Sequence, residues 1–203
     1  MRSSSNGVFR YVDIHDDYVV KFPLVDAEDE ENEDYDCTDT TPEDCLACQA
    51  NELGTWRDFR NNGALCPIIE KDSHLYAIYM ERAITSCDYD VPWKDYENAE
   101  YPEITEHLEE LGISGFCAGR IEAAIGFGVA LGKLAGIELN YDKFVSGLIE
   151  IYLKSKTVFY NIVEDLHIHN VGIYDNNLVV IDYAGCEPVY EYDAKEGVIY
   201  GME

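Results

Sequence analysis

The sequence predicts an α+β protein with two lobes: a small sheet lobe carrying one helix, then a compact helical lobe. Three observations predict it. Runs rich in β-branched and aromatic residues cluster before residue 84, helical periodicities fill most of the stretch after it, and a short strand pair follows the last helix. The predicted domains are residues 1–83 and 84–203.

Val8-Phe9-Arg10-Tyr11-Val12 and Tyr18-Val19-Val20-Lys21-Phe22 read as strands around a polar turn at His15-Asp16-Asp17. From Asp26 to Asp44 run eleven carboxylates and no basic residue. Self-repulsion and a lack of apolar anchors predict a loop there, with 26–40 as an insertion. Thr41-Pro42-Glu43-Asp44 starts a helix: Thr41 can cap, Pro42 suits the first turn, and the acids suit the positive end of the dipole. Leu46, Leu53, Trp56 and Phe59 carry its apolar stripe to Arg60, and Asn61-Asn62-Gly63 ends it.

Two more strands are predicted at Cys66–Glu70 and Leu75–Met80, then an acidic connection over 84–102. Helices follow over 103–111, 116–136 and 142–161, the last with Phe144, Leu148, Ile151, Tyr152 and Phe159 near a 3.6-residue period. Val171–Tyr174 and Leu178–Ile181 form a hairpin around Asp175-Asn176-Asn177.

Composition bounds the function. Lys plus Arg number 14 against 41 Asp plus Glu, a formal charge of −27. Such a surface repels nucleic acid and anionic membranes and draws in basic partners. The apolar run Ile121–Ile137 carries Arg120, Glu122 and Lys133 in or beside it and reads as a buried helix, not a membrane span. Met1 to Gly7 lacks the apolar stretch of a signal peptide, which leads to the expectation of a cytoplasmic protein. Seven cysteines then imply free thiols. Cys45 and Cys48 form a CxxC that Cys37 and Cys66 would complete around zinc, but their helical spacing also suits small core residues.

The densest chemistry lies in Glu164-Asp165-Leu166-His167-Ile168-His169-Asn170 and, across the hairpin, Asp182-Tyr183-Ala184-Gly185. An Asp, an Asn five residues on and an Asp twelve beyond resemble the catalytic loop and metal-binding turn of the protein kinase superfamily. Val19-Val20-Lys21, the mid-helix Glu52 and Met80-Glu81-Arg82-Ala83 stand in the order of that superfamily's phosphate-binding lysine, its glutamate partner and its hinge. The resemblance spans roughly residues 6–185. It implies a protein-kinase-like fold with a truncated C-terminal lobe, similar to minimal, atypical or compact viral and phage kinases.

It implies site roles as well. Asp165 would be the catalytic base, Asn170 and Asp182 the Mg2+ ligands, and Lys21, paired with Glu52, the group on the α- and β-phosphates of ATP. The Glu81 carbonyl and Ala83 amide would take the adenine, and Gly7 would stand in the phosphate-covering turn, where one glycine replaces three. Tyr183-Ala184 departs from the usual Phe-Gly, and Val163 stands where a histidine is usual. His167 and His169 form an HxH that a zinc metallohydrolase would use, but His15, His74 and His107 lie in contexts unsuited to completing it. The resemblance gives His167 a contact with the transferred phosphate instead.

The expected activity is γ-phosphoryl transfer to a hydroxyl, with a protein Ser or Thr on a basic partner first and a small cationic alcohol second. The alternatives are a pseudokinase that works by binding and an acidic protein that sequesters a basic, nucleic-acid-binding partner.

Overall fold

Four antiparallel strands, in the order β1-β2-β3-β4, form the main sheet of the first of two units: β1 (Ser3–Asn6), β2 (Arg10–Ile14), β3 (Tyr18–Pro23) and β4 (Ile78–Glu81). The structure, a computed structural model, describes residues 3–6, 10–23, 41–185, 189–193 and 198–201. Gly7, Cys37 and the 26–40 insertion therefore lie outside the described residues. The β2–β3 turn closes where the His15 amide donates to the Tyr18 carbonyl at 2.9 Å. Ser3–Asn6, just before the Gly7 assigned to the phosphate-covering turn, is a strand paired with Tyr11–Ile14.

The strand predicted at 66–70 does not form; only an isolated bridge joins Ile68 to Met80. Pro67 has no N–H for a ladder, and the Ser73 hydroxyl takes over part of the pairing. It donates toward the Ile69 and Tyr79 carbonyls and accepts from the Tyr79 amide at 2.9 Å. Leu75 and Tyr76 form a tight turn closed by reciprocal backbone bonds between His74 and Ala77, so the second strand starts at Ile78.

Helix α1 (Pro42–Asp58) begins as its sequence dictates. The Thr41 hydroxyl accepts from the Asp44 amide at 3.2 Å while the Asp44 carboxylate accepts from the Thr41 amide and hydroxyl, each at 2.8 Å. Those bonds, the backbone one first, hold the Asp44 carboxyl below the usual range. A second pair, β7 (Tyr190–Asp193) and β8 (Val198–Gly201), was not foreseen and packs on α1.

The second unit holds α2 (Pro102–Glu110), α3 (Gly115–Ala135), α4 (Asp142–Lys154), α5 (Lys156–Glu164) and the hairpin β5 (Val171–Tyr174) and β6 (Asn177–Val180). By length and composition α3 would span a bilayer, but 61% of that window is buried in protein. The single helix expected over 142–161 is two. Ser155 adopts an extended conformation and its side chain accepts from the Val158 amide, so it ends α4 and caps α5. Asp175 and Asn176, both with positive φ, make the two-residue turn between β5 and β6. The Val180 amide donates to the Ala64 carbonyl at 2.7 Å, and Ile84 bridges Ile173, so segments from outside the hairpin extend it on both edges.

The chain divides less simply than a single break after residue 83. Residues 59–66 belong to the second unit through their bonds to β6, and residues 188–203 belong to the first.

Candidate active site

In the first unit, strand register decides which side chains meet α1. Val12 lies opposite Lys21 and Arg10 opposite Pro23, so Arg10 and Lys21 share one face of the sheet. Glu52, on α1, is fully buried, and its two oxygens are divided between two cations. Oε1 accepts from Lys21 Nζ at 2.6 Å, and Oε2 accepts from Arg10 Nη1. One turn earlier, Gln49 Nε2 donates to the Lys21 carbonyl at 3.0 Å and ties helix to strand. Lys21 and Arg10 are themselves buried. Taking such charges out of water is costly, and mutual attraction offsets the cost only when geometry and hydrogen bonds are good.

The sequence singled out Lys21 and Glu52 but missed Arg10. One signal was available: Arg10 is the charged member of an apolar strand, on the same face as Val12 and hence as Lys21.

At the proposed hinge, Met80 is fully buried, opposite Val19. Glu81 ends β4 with its amide donating to the Pro67 carbonyl at 2.9 Å. Ala83, also buried, belongs to the second unit, where a β-carbon on Gly172 would come within 3.0 Å of it.

In the second unit the loop after α5 is organised by local hydrogen bonds. Asp165 caps the helix, and Asn170 Nδ2 donates back to its carbonyl at 2.9 Å and its Oδ2 at 3.0 Å. Both nitrogen-borne bonds go to Asp165, which turns the other end of the amide, Oδ1, away. Arg120 Nη1 donates to the Leu166 carbonyl at 3.0 Å and fixes the middle of the loop to α3. His167 is exposed, and its Nδ1 accepts from the His169 amide; His169 Nδ1 lies 2.9 Å from the Ser86 hydroxyl. Among the described residues no group of three His, Cys, Asp or Glu is placed to hold a metal.

The Ile181 amide donates to the Asn170 carbonyl at 2.8 Å, so Asp182 follows directly on a backbone bond to Asn170. Tyr183 is fully buried with its hydroxyl donating to the Cys66 carbonyl at 3.1 Å. The turn then needs glycine: Gly185 has φ +71°, and a β-carbon would lie 2.3 Å from the Asn161 amide group. Asn161 Nδ2 donates to the Ala184 carbonyl at 3.0 Å. One helix, α5, thus ends in Asp165 and also holds the turn that follows Asp182.

No family model matches the chain, and no curated protein matches it. Among solved structures it is similar to APH(2'')-IIa in a ternary complex with streptomycin and ATP, at 15% identity and a TM-score of 0.40, over 91% of this chain and 65% of that one. It is similar at the same identity and TM-score to APH(2'')-IIa bound to gentamicin, over 89% of this chain and 63% of the other. The chain therefore spans less than two thirds of the length of either.

Proposed function

We propose that the chain is a kinase-like phosphotransferase that moves the γ-phosphoryl of ATP to a hydroxyl with the help of Mg2+. The observation that carries this reading is the buried ion pair between Lys21 on β3 and Glu52 on α1, 2.6 Å long. A pair of well-packed apolar residues would stabilise the fold as well or better. A carboxylate that holds an ammonium at fixed direction has a use where that ammonium must meet the phosphates of a nucleotide.

The loop supports the same reading. Asp165 is half-buried, and a carboxylate so placed accepts the proton of the attacking hydroxyl. With Asn170 Nδ2 committed to Asp165, the Asn170 side-chain oxygen Oδ1 and the Asp182 carboxylate are hard oxygen donors, a set that fits Mg2+. Bound there, the metal would screen the charge of the phosphates. Exposed His167 is the loop's candidate for a contact with the transferred phosphoryl group, and the Glu81 carbonyl and Ala83 amide are the candidates for the adenine.

A net charge of −27 favours a cationic acceptor. A Ser or Thr in a basic protein segment and a small amine-bearing alcohol are the two classes to try. γ-Labelled ATP with Mg2+ and both acceptor classes should give transfer by the wild type and a loss on the order of a thousandfold in Asp165→Ala and Asp182→Ala. Equal transfer by all three proteins would remove the phosphotransferase reading. A nucleotide-dependent melting shift without any turnover would leave a pseudokinase.

A further inference from the structure

Helix α1 has two working faces. Cys45, Gln49, Glu52 and Trp56 lie along one side, which includes the groups that meet Lys21 and Arg10. Asn51, Gly54, Thr55 and Asp58, spaced i, i+3, i+4 and i+7, lie along another, roughly 140° round the helix. The β7–β8 hairpin occupies that second face.

Its grip covers two consecutive turns. Asn51 Oδ1, buried, accepts from the amides of Val189 and Tyr190 at 2.8 and 2.9 Å. The Tyr190 ring lies directly over Gly54: a β-carbon there would come 2.4 Å from Cγ and 2.5 Å from Cδ1, so only a residue without a side chain admits the ring. The Tyr190 hydroxyl donates to Asp58 Oδ2 at 2.9 Å. Arg57 Nη1 donates to the Ile199 carbonyl at 2.6 Å, and its guanidinium stands 5.8 Å from the centre of the Tyr190 ring.

These contacts bear on the ion pair because of what α1 presents to the sheet. A helix that docks through Gln49 and Glu52 must desolvate an amide and a carboxylate to do so, and desolvation favours its withdrawal into water. Packing on the opposite face resists that withdrawal. Asn51 is the residue next to Glu52, so the hairpin grips α1 directly beside the carboxylate that meets Lys21.

We infer that Tyr190 is a positioning residue for the nucleotide site: seated over Gly54, it holds α1 where Glu52 can orient Lys21. The inference rests on the phosphotransferase reading for its functional half and on hydrogen bonding and packing alone for its structural half.

Three full-length variants test it by two measurements, amide hydrogen exchange across Gln49–Thr55 and calorimetric affinity for Mg·ATP. In Tyr190→Ala, exchange across α1 accelerates and affinity falls, each on the order of tenfold. Tyr190→Phe keeps the ring over Gly54 and restores affinity to within about threefold of wild type. Gly54→Ala reproduces the tenfold loss although alanine is the better helix former, which separates the seat of the ring from helix propensity. In a Lys21→Met background, Tyr190→Ala costs no further affinity, because the residue it acts through is gone.

Unchanged exchange in both Tyr190→Ala and Gly54→Ala overturns the clamp. Faster exchange with unchanged affinity overturns the positioning role and leaves the hairpin a scaffold. If the wild type itself does not bind Mg·ATP, the phosphotransferase reading fails and the positioning role with it, while the exchange data still decide whether the hairpin holds α1.

Discussion

Two carboxylates in this molecule are held in opposite ways. Glu52 is fully buried, and cations from two strands far from it in sequence take one oxygen each. Asp165 is half-buried and accepts from an amide five residues along the same loop. The first arrangement depends on sheet register, helix packing and the hairpin behind the helix. The second depends on a helix end and a few neighbouring hydrogen bonds. A site built from distant parts ties its geometry to the stability of the unit, whereas a locally built site can lose its chemistry and leave the fold intact.

The largest expected effect breaks that contrast if it fails. Glu52→Ala removes the carboxylate between two buried cations and should cost about 3–5 kcal/mol of unfolding free energy, measured by urea denaturation. Asp165→Ala should cost less, about 1 kcal/mol by the same measurement, since Asn170 Nδ2 keeps its bond to the carbonyl of residue 165. Comparable losses in the two variants would show that the two carboxylates are not held differently.

Next in size is Gly185→Ala. The turn after Asp182 has φ +71°, and the new methyl group would press on the Asn161 amide that supports it. A loss of about 2 kcal/mol follows from strain and displacement together, again by urea denaturation. A smaller penalty would mean that the turn moves away from α5, and turnover should then fall because Asp182 moves with it.

These two sites also mark what the sequence made legible. Asp165, Asn170, Asp182 and the hairpin between them lie within eighteen residues, and local spacing is what a sequence displays directly. Lys21 and Glu52 were legible only as an order of elements; their hydrogen bond is a fact of packing. Arg10 read as one more strand residue because nothing local says that β2 and β3 place it diagonally beside Lys21. Tyr190 was invisible for the same reason. Tyr190-Glu191-Tyr192-Asp193 is a short polar strand whose partner face, Asn51 to Asp58, lies more than a hundred residues upstream. The break at Ser155 was readable as a capping residue, but the apolar periodicity runs through it and masked the signal.

A smaller effect sharpens the comparison by using pH on the long-range side alone. Burial first, and then the bond to Asp58, raise the pKa of the Tyr190 phenol well above its ordinary value of 10.0. Unfolded, Tyr190 ionises near pH 10; folded, it keeps its proton, so the folded state binds more protons in that range. The stability it contributes is complete below pH 10 and falls as pH rises toward the folded-state value. One such group gives a slope of about 1.4 kcal/mol per pH unit, and Tyr190→Phe should lack that share of the alkaline decline. Parallel alkaline curves for the two proteins would show that the hydroxyl is not sealed against α1.

The smallest effect belongs to the locally built side. Ser155 separates α4 from α5 and its hydroxyl accepts from the Val158 amide at 3.4 Å, which satisfies one of the bare amides at the start of α5. Ser155→Ala should cost about 1 kcal/mol, the usual price of losing a cap, with the urea midpoint moving and its slope unchanged. The useful readout is where the loosening appears. Because α5 carries Asn161 and ends at Asp165, hydrogen exchange should quicken through Lys156–Asn170 while α1 stays as protected as in the wild type. Quickening in α1 as well would mean that the two carboxylates share one cooperative support, and the distinction between a distant and a local construction would then describe how they are bonded without describing how they yield.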